Sequence, residues 1–271
     1  MKIRVFTAFS GYDSQCLALE RLKRDYPNFD YELVGWSEID KYAIKAHNAL
    51  FPQWADRNYG DISHIDWNKV PDFDLFTYSS PCQDFSNAGK QAGGEEGSGT
   101  RSSLLWECRR AIVAKRPKYL LLENVAALVS KKFLPLFGRW MQSLEDYGYY
   151  NNWEVLNAKD YGVPQNRERV FLVSIRRDLL APSPIYFFPK PFKLERRLKD
   201  VLEQNVDEKY YLSDKAVKAF QEHSDRKQAE GCGFKFEPTT GGGQAKTITS
   251  RSGARETDNY ILCGDSGESE L

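Results

Sequence analysis

The sequence predicts an α/β fold of the βαβ type, and three observations predict it. Short apolar runs rich in β-branched and aromatic residues alternate with segments of helical period through about residue 175. The 271 residues are enough to bury a sheet covered on both faces without disulfides or metals as staples. The composition is 41% hydrophobic and 28% charged, with 38 Lys+Arg against 38 Asp+Glu, which excludes a disordered, collagen-like or coiled-coil chain.

The elements follow in order. Residues 4–9 read as a strand, and 14–24 as a helix burying Leu17, Ala18 and Leu22. Residues 32–37 form a second strand, after which Asp40 is placed to cap a helix over 41–50. Strands are expected at 74–78, 119–123, 153–157 and 170–175, with helices near 102–115 and 133–147. Four prolines, Pro182, Pro184, Pro189 and Pro191, then punctuate an aromatic stretch, and the regular alternation stops there. The expected organisation is therefore an α/β domain over 1–180, a linker over 181–193 and a polar, irregular region over 194–271. That region holds one helix, over 213–223, and an acidic tail.

Charge is unevenly spread. Between Arg109 and Lys199 there are 18 Lys+Arg and 8 Asp+Glu, a local excess of ten positive charges that the rest of the chain balances. A basic middle suits a phosphate-facing surface, and equally a set of solvated helix faces. The five cysteines are odd in number and form no C-x-x-C pair, so a reducing compartment and no metal site are expected. Neither a signal segment nor a membrane-spanning run is visible, and a cytoplasmic location with no membrane partner is expected.

Several candidate residues fall where strands end. The first turn, Phe9-Ser10-Gly11-Tyr12-Asp13, lies between a strand and a helix, the position at which such sheets bind nucleotide-like ligands. It lacks the three glycines of a dinucleotide fingerprint. Glu38 follows the second strand and Asp61 follows Gly60. Acidic groups there suit a ribose and an adenine without a phosphate cradle, which points to S-adenosylmethionine rather than NAD; they are equally well caps or solvated loop residues. Ser80-Pro81-Cys82-Gln83 follows the third strand, with proline limiting where the thiol points. Cys82 reads as a nucleophile or as a structural thiol. Cys16, Cys108, Cys232 and Cys263 read as structural thiols. Glu123 ends an apolar strand at the same edge, placed to act as an acid, as a helix cap or in a salt bridge. In Gln165-Asn166-Arg167-Glu168-Arg169, two arginines flanking one residue point the same way on a strand, fixing a phosphate or base edge or pairing with Glu168.

These pieces in this order resemble the cytosine-5 DNA methyltransferases. The resemblance covers about residues 3–176: F-S-G, S-E-I-D, G-D-I at 60–62, S-P-C-Q, Leu104 in R-S-S-L-L, L-E-N-V and Q-N-R-E-R-V. It implies a Rossmann-like, S-adenosylmethionine-dependent methyltransferase sheet with a small, partial target-recognition region over 194–271. It also implies Cys82 as the nucleophile at carbon 6 of a flipped cytosine and Glu123 at ring nitrogen 3. Arg169 would lie near the base carbonyl with Arg167 in support, and Ser80, Pro81 and Gln83 would belong to the active-site loop. Phe9, Gly11, Glu38, Ile39, Asp61 and Leu104 would line the S-adenosylmethionine pocket, with Phe9 against the ligand, Glu38 on the ribose and Asp61 on the adenine amino group. The family commonly has a second glycine where this chain has Asp13.

The partner implied is duplex DNA, within a restriction-modification system, and in the recognition segment Lys235, Lys246, Arg251 and Arg255 are candidate contacts or simply solvated. Full-length members continue with two further blocks after the recognition region, so the resemblance implies an incomplete enzyme: a split-gene subunit whose missing blocks a second polypeptide supplies, a truncated gene or a trimmed chain. Two other readings stay open: a chain that keeps the fold and cofactor site without turnover, and a tRNA cytosine-5 methyltransferase.

Overall fold

A computed structural model describes residues 2–81, 101–180, 186–231, 235–248 and 259–262. The chain divides into two compact units, one comprising Met1–Leu156 and Arg169–Phe188, the other Asn157–Glu168 and Pro189–Leu271.

The first unit is an α/β sheet domain. Its elements are β1 (Lys2–Ala8), α1 (Ser14–Asp25), β2 (Asp30–Ser37), α2 (Lys41–Leu50), β3 (Leu75–Tyr78), α3 (Glu107–Lys115), β4 (Tyr119–Val125), α4 (Leu134–Asp146), β5 (Tyr149–Asn157) and β6 (Glu168–Arg176). The sheet order is β2-β1-β3-β4-β6-β5. Pairing of β1 with β2 and β3, and of β3 with β4, is parallel. The βαβ expectation therefore holds for the first four strands. It fails for β6, which runs antiparallel to β4 with Tyr119 opposite Ile175 and Val125 opposite Arg169.

Alternation along the strands, shifted by one residue on β2 where its register against β1 slips after Leu33, sends neighbouring side chains into two separate cores. Val5, Leu33 and Trp36 face α1 and α2 with Cys16, Leu19 and Phe51. Phe6, Val34, Phe76, Tyr78, Leu120 and Leu122 face the other way with Leu105, Ile112, Phe137 and Trp140. Helices α1 and α2 start where a side-chain cap dictates. Asp40 Oδ1 accepts the amides of Tyr42 and Ala43 at 2.9 Å, while Asp13 Oδ1 accepts that of Cys16 at 3.1 Å. Arg116, in the left-handed region at φ 44° before Pro117, ends α3.

Three element expectations need correction. On α1 the buried residues are Cys16 and Leu19, with Leu17 half-buried against them, whereas Ala18 and Leu22 are exposed, Leu22 at 42%. Only residues from Glu107 of the expected 102–115 helix are α-helical, following a 3-10 turn at Arg101–Trp106. Strand β5 starts at Tyr149 rather than 153; Asn151 and Asn152 hide the alternation because their side-chain amides donate to the carbonyls of Met141 and Tyr186.

In the second unit, Ser213 caps α5 (Asp214–Ala229), which runs six residues beyond the expected end. Phe220 of α5 packs against Phe236 and Tyr260, each at 5.6 Å between ring centroids. Asn157 and Asn166 join through a side-chain hydrogen bond of 2.6 Å, and Gln165 bridges Ala245 in parallel.

Candidate active site

Because β1 to β4 are parallel, their carboxyl ends and the loops that follow share one edge of the sheet, the edge at which open α/β sheets hold ligands. The first turn leaves β1 through three residues of positive φ: Phe9 at 54°, Gly11 at 58° and Asp13 at 65°. Outside glycine this region is disfavoured by about 1–2 kcal/mol per residue, and aspartate tolerates it best because its side chain bonds locally. Asp13 therefore takes the backbone conformation that a glycine would adopt.

Glu38 binds this turn to its own loop. Its Oε2 accepts the Gly11 amide at 2.9 Å, and its Oε1 accepts the amides of Ile39 and Asp40, both at 2.8 Å. Asn58 extends the same lattice: Oδ1 accepts the amides of Glu38 and Gly60, and Nδ2 donates to the Glu38 carbonyl. Nothing in the sequence marks Asn58, since its role depends on a parallel bridge to Trp36. Asp61 Oδ1 accepts both the Ser63 hydroxyl, at 2.6 Å, and the Ser63 amide, at 2.9 Å. These two bonds hold its carboxyl below the usual carboxylate range. The cap reading of Asp61 is thus met, and Oδ2 lies 3.9 Å from His64 Nδ1.

The chemistry of this crevice fits a nucleoside bearing an amino acid. Glu38 Oε2 has spent one lone pair on Gly11 and retains acceptor capacity for a ribose hydroxyl. A Cβ built on Gly11 meets nothing within 4 Å, so the turn opens onto space. Ser10 Oγ is buried with no hydrogen-bond partner among the described residues. Ile39, 69% exposed, offers an apolar surface beside Glu38, and Phe9 packs against the larger core. Leu104 is half-buried within the Arg101–Trp106 turn.

The end of β3 is held from two sides. Ser79 donates its amide to the Ala8 carbonyl and accepts from Gln15 Nε2 at 3.2 Å. Ser80 is buried, and Asn124 Nδ2 donates to its carbonyl at 3.1 Å and to its Oγ at 3.3 Å. Pro81 is the last described residue of this stretch; Cys82 and Gln83 lie outside the described residues, as do Cys232, Cys263, Arg251 and Arg255. Cys16 and Cys108 are buried thiols, and burial pushes both well above the ordinary thiol range, as inert structural cysteines require.

Glu123 and Arg169 meet through the antiparallel register. Arg169 stands opposite Val125, two residues beyond Glu123 on the same face of β4, and its Nε lies 3.0 Å from Glu123 Oε1. Both side chains keep some exposure at the sheet edge, 25% for Glu123 and 18% for Arg169. The salt-bridge reading of Glu123 is met, with Arg169 as its partner. Arg167 departs from expectation. It precedes β6 and belongs to the second unit, with its amide donating to Asn157 Oδ1 and its carbonyl accepting from Ala158. Strand alternation therefore does not align it with Arg169.

A family model described as C-5 cytosine-specific DNA methylase matches residues 3–262. The type II methyltransferase M2.ScrFI of Lactococcus lactis subsp. cremoris is 40% identical, over 79% of this chain and 71% of its own length. The orphan methyltransferase M.Rho11sI of Bacillus phage rho11s is 36% identical over 79% of this chain and 46% of its own length. The chain thus spans about half to seven tenths of these curated relatives. Among solved structures, the crystal structure of S. pombe Dnmt2 methyltransferase superposes with a TM-score of 0.69 at 17% identity, covering 98% of this chain and 77% of that one, a likeness of fold. By the extent of the family match and the identity to its relatives, the chain belongs to the C-5 cytosine-specific DNA methylases.

Proposed function

We propose that this chain transfers a methyl group from S-adenosylmethionine to carbon 5 of a flipped cytosine in duplex DNA, as the modification enzyme of a restriction-modification system. The observation that carries it is the family match over residues 3–262, with Glu123 and Arg169 paired at the sheet edge from which Ser80-Pro81 leads into Cys82. The family model is that of a DNA methylase, which favours DNA over tRNA as substrate.

In this reading S-adenosylmethionine supplies an electrophilic methyl group. The Cys82 thiolate adds to carbon 6 of cytosine, forming a sulfur–carbon bond and moving the ring electrons to carbon 5. Carbon 5 would take the methyl group as the sulfonium's sulfur–methyl bond breaks to leave a neutral thioether, and would then lose its proton to a base as the bond between the Cys82 sulfur and carbon 6 breaks and the ring double bond returns. Glu123 meets ring nitrogen 3, where charge develops on addition, and Arg169 orients that carboxyl and faces the base carbonyl. Glu38 holds the ribose, Asp61 the adenine amino group, and Phe9, Gly11, Ile39 and Leu104 the remaining walls. Arg167 acts from the segment preceding β6. Asn124 keeps the entry to the Cys82 loop fixed through Ser80.

We assign residues 1–180 to catalysis, 181–193 to a linker, and 194–271 to part of the target-recognition region. Among the described residues no helix is long and apolar enough to cross a membrane.

The deciding experiment is transfer of labelled methyl groups from S-adenosylmethionine to mixed-sequence duplex DNA, with Cys82→Ser and a tRNA substrate alongside. Transfer to DNA by the wild type and none by Cys82→Ser is expected. Turnover surviving in Cys82→Ser removes the nucleophile, and transfer to tRNA alone replaces the substrate. Transfer that begins only when a second chain is added identifies the partner.

A further inference from the structure

Beneath the first turn lies a polar cluster that the proposed reaction does not use. Asp13 is wholly buried, and its two carboxylate oxygens serve different elements. Oδ1 accepts the Cys16 amide of α1 at 3.1 Å, and Oδ2 accepts the Thr7 hydroxyl of β1 at 2.7 Å. A third element, α2, sends in His47, also wholly buried, whose Nε2 lies 3.6 Å from Asp13 Oδ2. The imidazole is confined: it stacks on Trp36 at 3.8 Å between centroids, with Phe51 at 5.3 Å. Neither ring nitrogen has a hydrogen-bond partner among the described residues, so Asp13 is the polar group it approaches.

A carboxylate without solvent is tolerable only where polar neighbours replace its water. Thr7, the Cys16 amide and His47 are those neighbours, and they come from three elements, β1, α1 and α2. The geometry of the layer above depends on them. Gly11 reaches Glu38 at 2.9 Å from a turn whose backbone stays left-handed at Phe9, Gly11 and Asp13. Glu38 leads through Asp40 directly into α2, the helix that carries His47. The first turn and the Glu38 loop are thus joined twice, above through Gly11 and Glu38 and below through Asp13 and His47.

We propose that Asp13, Thr7 and His47 are positioning residues for the cofactor crevice: the buried carboxylate clamps the first turn to β1 and α2, and thereby sets the spacing at which Gly11 and Glu38 face the ligand. A glycine at position 13 would allow the same backbone without the clamp. The inference rests on the reading of this crevice as the S-adenosylmethionine site.

The test is calorimetric binding of S-adenosylhomocysteine to the wild type, Thr7→Val, Thr7→Ser and His47→Phe, with the melting temperature of each protein measured in parallel. Thr7→Val removes the hydroxyl at constant shape, and His47→Phe keeps an aromatic ring on Trp36 while removing both nitrogens. Each is expected to weaken binding, Thr7→Val by about tenfold, as for loss of one charge-assisted buried hydrogen bond, with Thr7→Ser restoring wild-type affinity. Variants that melt lower yet bind within about twofold of the wild type, inside ordinary additivity error, make the cluster a fold stabiliser only and overturn the proposal. A wild type that melts cooperatively but does not bind overturns the cofactor reading, and this inference with it. If His47→Phe does not fold, the contrast between Thr7→Val and Thr7→Ser decides alone.

Discussion

Replacing Asn124 by leucine tests how the end of β3 is held. The side chains are close in size, so the substitution keeps packing and removes hydrogen bonding. Two donations from Nδ2 are lost, to the Ser80 carbonyl at 3.1 Å and to its Oγ at 3.3 Å, together with the bond that Oδ1 accepts from the part-buried Val125 amide at 2.9 Å. Ser80 is 3% exposed, so water does not replace the lost donor. A buried acceptor left unsatisfied costs about 1–3 kcal/mol, and the hydroxyl can rotate toward another partner while the carbonyl cannot. The carbonyl therefore dominates, and the expected destabilisation is about 2–3 kcal/mol. For a cooperative unit of this size that corresponds to a fall in Tm of roughly 4–12 °C. Ser80→Ala is the internal control: it deletes the longer bond and keeps the carbonyl partnered, with an expected loss of no more than about 1 kcal/mol. Because Ser80-Pro81 leads into Cys82, methyl transfer by Asn124→Leu at a temperature well below its Tm should fall more than its folded fraction does. A melting temperature unchanged by Asn124→Leu, or a larger loss from Ser80→Ala, refutes the assignment of Asn124 as the holder of this loop entry.

Four further outcomes are expected. Glu38→Ala removes the acceptor of three amides and should weaken S-adenosylmethionine binding in calorimetry; unchanged affinity would place the ribose elsewhere. Gly35→Ala would set a Cβ 2.7 Å from the rings of Phe6 and Tyr59, and the buried Phe6 is hemmed in by Trp67, Phe73 and Phe76, so urea denaturation should show a loss of about 1–3 kcal/mol rather than the gain an alanine brings to an open strand. The Asp61 carboxyl is held below its unfolded value by Ser63, so its stabilisation is present above about pH 4 and disappears as pH falls through the lower folded value. The difference in Tm between wild type and Asp61→Ala should accordingly be steady from pH 7 to 5 and shrink below 4, whereas a difference that grows on acidification reverses the sign and the argument. Cys16 and Cys108, buried with raised thiols, should resist iodoacetamide in the native protein and react after unfolding, as read by mass spectrometry; native labelling of either contradicts their burial.

Most of this protein was legible where the physics is local. Period-two and helical patterns placed five of the six strands of the first unit within two residues of their observed starts, and Asp40 announced α2 because a cap and its amides lie within three residues of chain. Strand ends followed by Phe9, Glu38, Ser80 and Glu123 were readable as one ligand edge because parallel βαβ units stack their carboxyl ends together. Pairing direction and buried polar contacts are not local, and there only the tertiary structure decided. Arg169 reaches Glu123 because β6 enters the sheet antiparallel, a choice made by the whole sheet and not by the Q-N-R-E-R motif, which by alternation alone would have set Arg167 beside it. Asp13 looked like a departure in a glycine position. Folding makes it a cap and a buried anchor, because Thr7 lies six residues before it and His47 thirty-four after, and a carboxylate can be stripped of water only where such distant groups arrive together.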